Sequence, residues 1–155
     1  MKSQATFTRP ANTTAYAAGD VVGPASPALI TFANAVSGNA RPGVVRKAIV
    51  ATDQGANVAV YTLHLFTTQP TAVADNAANT APLWADIPGY VGSVVFPAAV
   101  PSGDAAYAVV KDVNLPFRCE TGDDNLYGVL VTGTIFTPAS GQNYALELHT
   151  ASGEK

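Results

Sequence analysis

The chain has 155 residues, of which 48% are hydrophobic and only 12% charged, with 13 glycines and 11 prolines. One domain with a core of its own fits this length, and the low charge with high hydrophobicity excludes a disordered chain. A net charge of −3 with eight Lys+Arg excludes a nucleic-acid binder that works through a basic face, and the single cysteine, Cys119, excludes a disulfide framework or a cysteine-built metal site.

The N-terminus carries Lys2, but Ser3, Gln4, Thr6 and Thr8 interrupt any apolar stretch of the kind a signal peptide needs. The expectation is a protein made and used without export. Residues 3–8 alternate as a short strand that ends at Arg9-Pro10. Pro10, Gly19, Gly23, Pro24 and Pro27 then break up residues 10–28, which read as an extended arm anchored by Tyr16 and Val21-Val22. Leu29 to Val36 and Val44 to Thr52 read as strands. In the second, Val44, Arg46, Ala48 and Val50 share one face. Asn57 to Phe66 follows after Asp53-Gln54-Gly55-Ala56, and the pair reads as a hairpin.

Residues 67–89 change character, with room for one or two helical turns in Ala72 to Ala81 before Trp84. Strands return at Tyr90 to Phe96, Ala105 to Val110, Val113 to Phe117 and Leu126 to Phe136. In the last strand, Asn143 to Thr150, Tyr144, Leu146 and Leu148 face one way and Ala145, Glu147 and His149 the other. About eight or nine strands with almost no helical periodicity indicate an all-β single-domain sandwich, jelly-roll-like, with residues 1–28 as an N-terminal arm and 29–155 as the body. No apolar run is long enough for a membrane helix, and no partner membrane or nucleic acid is expected.

Catalysis needs a constellation, and the candidates are few. His64 and His149 are the only histidines and read as strand residues with local partners. No Gly-x-Ser-x-Gly motif is present, and no phosphate-binding Gly-x-x-x-x-Gly-Lys-Thr loop. Cys119 lies beside Arg118, which would favour its thiolate. Glu120, Asp123 and Asp124 with Asn125 form an acidic turn, the best candidate for a cation, but they lack the spacing of a complete calcium loop. Trp84, Tyr90 and Tyr107 are the aromatics that would stack on sugars. The expectation is a non-enzyme with no cofactor and no metal site.

The segment Phe7-Thr8-Arg9-Pro10-Ala11-Asn12-Thr13-Thr14-Ala15-Tyr16-Ala17-Ala18-Gly19-Asp20-Val21-Val22 resembles the opening of small virion proteins of tailed bacteriophages. Leu126-Tyr127-Gly128-Val129-Leu130-Val131 and Phe136-Thr137-Pro138-Ala139-Ser140-Gly141 resemble their last hairpin. Some of these proteins are capsid cement, or decoration, proteins. The resemblance implies a capsid cement protein on the virion exterior, made in the bacterial host cytoplasm. Its partner would be the major capsid protein, which it would bridge as a homo-oligomer, dimer or trimer. The alternatives are a tail-fibre, head-fibre or baseplate module that binds host carbohydrate, and a small β-sandwich enzyme or lectin-like domain. Phe7, Arg9, Tyr16 and Trp84 are the candidate interface residues, because aromatics and arginine dominate interface hot spots. The charge is also unevenly spread: residues 10–40 hold only Asp20 and residues 76–103 only Asp86. Both stretches are therefore candidates for covered surface.

Overall fold

The computed structural model describes residues 1–152. Ten strands among them form two antiparallel sheets. The first sheet has the spatial order β1 (Lys2–Thr8), β10 (Asn143–Ser152), β4 (Pro42–Thr52), β8 (Ala105–Arg118) and β7 (Val100–Ser102). The second has β2 (Val21–Val22), β9 (Leu126–Thr132), β5 (Tyr61–Phe66) and β6 (Tyr90–Val95). β3 (Ile30–Phe32) pairs β9 just beyond β2, so the two act as one interrupted strand. With β7 set aside, the chain's first, eighth, third and sixth strands face its second, seventh, fourth and fifth. That order, in which most connections cross between sheets, is a jelly roll within a single β-sandwich.

The alternation in β10 is as expected: Tyr144, Leu146, Leu148 and Thr150 are buried, and the residues between them are partly exposed. In β4 the alternation slips. A bulge at Arg46 turns Val45 inward with Ala48 and Val50 and leaves Lys47 outward, so Val44 and Arg46 do not share the core face. The strands on either side of Asp53 are not a hairpin. β4 lies between β10 and β8, and β5 lies between β9 and β6, so each already has both neighbours. The connection crosses between sheets. It stays irregular to Val60 because the Asn57 side chain accepts from the Ala59 N–H, and β5 begins only at Tyr61. β9 and β10, read as the closing hairpin, likewise belong to different sheets.

Ala72 to Ala81 forms no helix, and the one helical turn among the described residues is a 3₁₀ turn, Trp84–Gly89. β8 is one strand where two were expected. It continues through a bulge in which Asp112 and Asn114 take φ values of 57° and 50°. β9 stops at Thr132, whose hydroxyl donates to the Thr134 carbonyl as the chain turns.

The core between the sheets includes Phe32, Val45, Leu63, Leu65, Leu130, Leu146 and Leu148. A second cluster explains why every residue of β9 is buried. Val129, Val131 and Tyr127 point to the outer face of the second sheet, where Phe66, Ala28, Ala81 and Val73 cover them. The long segment after β5 is therefore a lid on that sheet. Its shortage of charge is answered in part within the chain itself.

Residues 1–28 are built into this body. β1 pairs with β10 through seven consecutive residues, and Val21 and Val22 are fully buried against β9.

Leu130 sits at zero exposure on a central strand, opposite Val22 and Leu63. Leu130→Ala is expected to lower stability by about 2–5 kcal/mol, measured by urea unfolding with an unchanged slope.

Candidate functional site

The four residues singled out from the sequence lie in different environments. Phe7 is half-buried on β1 and stacks on Tyr144, ring centroids 5.0 Å apart and planes 10° from parallel. Arg9 and Tyr16 are each 1% exposed. Trp84 is 91% exposed. In this structure the first three are engaged within their own chain, and Trp84 alone is presented outward.

Arg9 leaves β1 at the end of the sandwich and turns inward. Its Nε donates to the Tyr16 hydroxyl at 2.8 Å. Nη1 donates to the carbonyls of Asn12 at 2.6 Å, Ala139 at 3.1 Å and Pro10 at 3.2 Å. Nη2 donates to Asn12 Oδ1 at 3.0 Å and lies 3.8 Å from Asp75 Oδ2. Tyr16 donates in turn to Asp75 Oδ1 at 2.6 Å, and that oxygen also accepts the Gly23 N–H at 3.0 Å. Burial and the Asp75 carboxylate push the Tyr16 phenol well above its ordinary value, so it stays a neutral donor. A buried charge is tolerated only when paired and hydrogen-bonded, and this one is both. Asp75 and Ala139 are far from Arg9 in sequence, and no local pattern marks either as its partner.

Next to this hub the aromatics form a chain through the sandwich end. Tyr16 stacks on Phe136 at 5.0 Å; Phe136 meets Tyr61 edge-on at 6.2 Å, and Tyr61 meets Tyr144 edge-on at 5.9 Å. The Tyr61 and Tyr144 hydroxyls share a 3.0 Å hydrogen bond and accept from Asn57 and Gln142. Burial pushes Tyr61 up to about 12 and Tyr144 higher still. These phenols are structural.

Trp84 opens the 3₁₀ turn that leads into β6. Asp86 holds that turn rigid from within. Its carboxylate accepts from the Leu83 N–H and from the Thr71 N–H and hydroxyl, each at 2.9 Å. These bonds outweigh burial and keep the Asp86 carboxyl below the usual carboxylate range. Leu83, just before the turn, and Ile87 within it are 41% and 46% exposed. The result is an apolar tip on a fixed base.

The other candidates do not assemble into chemistry. His64 bonds the Tyr90 hydroxyl at 3.0 Å, and burial holds its imidazole below its ordinary value. His149 bonds Glu147 at 2.6 Å on the outer face of the first sheet. Cys119 is buried. Burial and the nearby Asp123, Asp124 and Glu120 push its thiol up to about 11, the reverse of the activation expected from Arg118. In the acidic turn, Asp123 already accepts from the Asp124 and Asn125 N–H groups and from the Tyr127 hydroxyl. Among the described residues no group of three His, Cys, Asp or Glu could hold a metal ion. A depression of about 590 Å³ over the first sheet is lined by Thr6, Ala51, Ala105 and Ala145 together with the aromatic residues Phe7 and Tyr144. Its one carboxylate, Asp53, accepts from the Asn143 backbone and side chain. Trp84, Tyr90 and Tyr107 do not converge: Tyr90 is tied to His64, and Tyr107 stands on the other sheet.

No family model matches the chain, and no curated protein matches it. Several solved structures are loosely similar. A chain from the capsid of Ralstonia phage GP4 is 18% identical with a TM-score of 0.42, and the match covers all of this chain and 86% of that one. A chain of Sacbrood virus of honeybee is 7% identical with a TM-score of 0.36, covering 100% and 82%. The C-terminal CBM6 of LamC from Zobellia galactanivorans is 6% identical with a TM-score of 0.35, covering 96% and 100%. The jelly-roll assignment rests on this chain's own strand order.

Arg9→Met would leave the Asp75 carboxylate buried beside a lost guanidinium. A destabilisation of about 3–5 kcal/mol is expected, read by chemical denaturation, with Asp75→Asn restoring part of it in the double variant. For Cys119, modification by a thiol reagent at pH 8 should be slow in the native protein and rapid once denaturant unfolds it. Equal rates in both states would contradict its buried, raised thiol.

Proposed function

We propose that this chain is a virion structural protein of a tailed phage. It acts without catalysis as a capsid cement protein that binds the assembled lattice and bridges neighbouring major capsid subunits from the virion exterior. The observation that carries this reading is the Trp84 turn, where an indole almost fully exposed to solvent is held on a rigid, internally bonded base. A large exposed aromatic with apolar neighbours is the composition of an interface anchor. The opening and closing segments that resemble phage virion proteins point the same way. Carbohydrate binding would call for aromatics and free acids around one pocket. Trp84, Tyr90 and Tyr107 lie apart, and Asp86 is engaged beneath its own turn.

Binding only to the assembled state stabilises that state by mass action, and many copies on one shell add their effects. Self-association as a dimer or trimer on a local axis would place several Trp84 turns on neighbouring subunits at once.

Mixing the purified protein with undecorated capsids tests the reading. Binding to shells is expected, with a rise in the temperature at which they open. Trp84→Ala should weaken that binding at least tenfold while leaving the unfolding midpoint unchanged, since the indole supports nothing in its own chain. Binding to free subunits but not to shells would overturn the proposal.

A further inference from the structure

The register of the first sheet brings together residues that are far apart in sequence. Lys2 of β1 is opposite His149 of β10, His149 is opposite Lys47 of β4, and Lys47 is opposite Lys111 of β8. The four form one straight row across the outer face. Every lysine among the described residues is in it.

Such a row opposes the fold. Like charges directly opposite on neighbouring strands are destabilising. At the β1 end the repulsion is relieved, because Glu147 pairs with Lys2 at 2.9 Å and with His149 at 2.6 Å. At the β4–β8 end it is not. Lys47 and Lys111 make no ion pair among the described residues, although Asp112 follows Lys111 in the bulge. Arg46, held by Asn114 at 3.1 Å on that bulge, adds a further cation beside them. In a chain this poor in charge, the concentration is not a by-product of composition.

We infer that this row is a docking site for an acidic helix on a partner protein. Charge complementarity gives the sign of the partner, and the spacing gives its form. Neighbouring strands lie about 4.8 Å apart, so the row from Lys2 to Lys111 spans about 14 Å. Carboxylates at i, i+4 and i+7 on a helix have Cβ atoms about 5–6 Å apart. Roughly ten residues of helix therefore match the row, lying across the strands. Ile49 and Val109, one row further along the same face, provide partly apolar ground beside it. A single-stranded nucleic acid fits less well. No aromatic side chain stands in the row to stack a base, and Tyr107, on the same strand as Lys111, is about 13 Å along it. The inference stands on the sheet register and is independent of the lattice reading.

The test uses a fluorescein-labelled helical peptide with glutamates at i, i+4 and i+7, the same peptide with glutamines, and a single-stranded oligonucleotide of equal charge. Fluorescence anisotropy with the full-length protein should show binding of the glutamate peptide that weakens with salt, and none of the glutamine peptide. The Lys47→Gln/Lys111→Gln double variant should lose at least tenfold in affinity while its melting temperature holds or rises, because the facing charges are gone. Arg118→Gln, a cation off the row, should leave binding unchanged. Equal loss in Arg118→Gln, tighter binding of the oligonucleotide, or no binding of the glutamate peptide would each overturn the inference. Undecorated capsids mixed with the unaltered protein separate the two proposals. Capsid binding by a protein that ignores the glutamate peptide refutes this inference alone, and peptide binding by a protein that ignores capsids refutes the lattice reading alone.

Discussion

The charge of Arg9 governs how this sandwich closes. A guanidinium with no exposed surface must have its donors satisfied from within, and the groups that satisfy this one come from three separate stretches of chain. Asn12 and Tyr16 belong to the crossing from β1 to β2. Asp75 belongs to the lid over the second sheet, and Ala139 to the crossing from β9 to β10. Three irregular connections are therefore fixed to one another at one end of the molecule. Without the ion pair and its hydrogen bonds, each would be a Pro- and Gly-rich loop with little of its own to hold it.

The rest of that end follows from the same anchor. Tyr16 stacks on Phe136 with its backbone N–H bonded to the Phe136 carbonyl and its hydroxyl fixed by Arg9 and Asp75. Phe136 then supports Tyr61, and Tyr61 supports Tyr144, so the polar hub passes into an aromatic one that links both sheets. The lid gains twice. It is pinned by Asp75 at one point and by Asp86 at another, and between them it covers the outward face of β9. The apolar tip at Trp84 stands on this doubly fixed segment, and its rigidity is inherited from buried carboxylates.

The strands were legible from the sequence where alternation was uninterrupted. β10 announces its two faces, and so does β5 from Tyr61 onward. Sheet membership was not legible. Two strands separated by Asp53-Gln54-Gly55-Ala56 look like a hairpin locally, and only the claims of β8, β9 and β10 on their edges send them to different sheets. The bulge at Arg46 is equally silent, because the choice of Val45 over Val44 for the core is made by packing across the sheets. Arg9 and Tyr16 were legible as residues of consequence, and Asp75, their partner 66 and 59 positions away, was not. Trp84 stood out for the simplest reason, a large apolar side chain in a segment without regular structure. The lysine row could not be read at all, since it exists only once four strands are in register.

One consequence follows from the pairing of β1 with β10. β1 has as its neighbour β10, the strand of the sandwich most distant from it in sequence, from Lys2 against His149 to Thr8 against Asn143. Until β10 is made, β1 has no partner, and the groups that saturate Arg9 are also incomplete, because Ala139 precedes β10 by only a few residues. β10 must therefore be made before the first sheet can close. Closure of this sandwich therefore depends on a pairing of very large sequence separation, and its early strands must wait for it without pairing elsewhere.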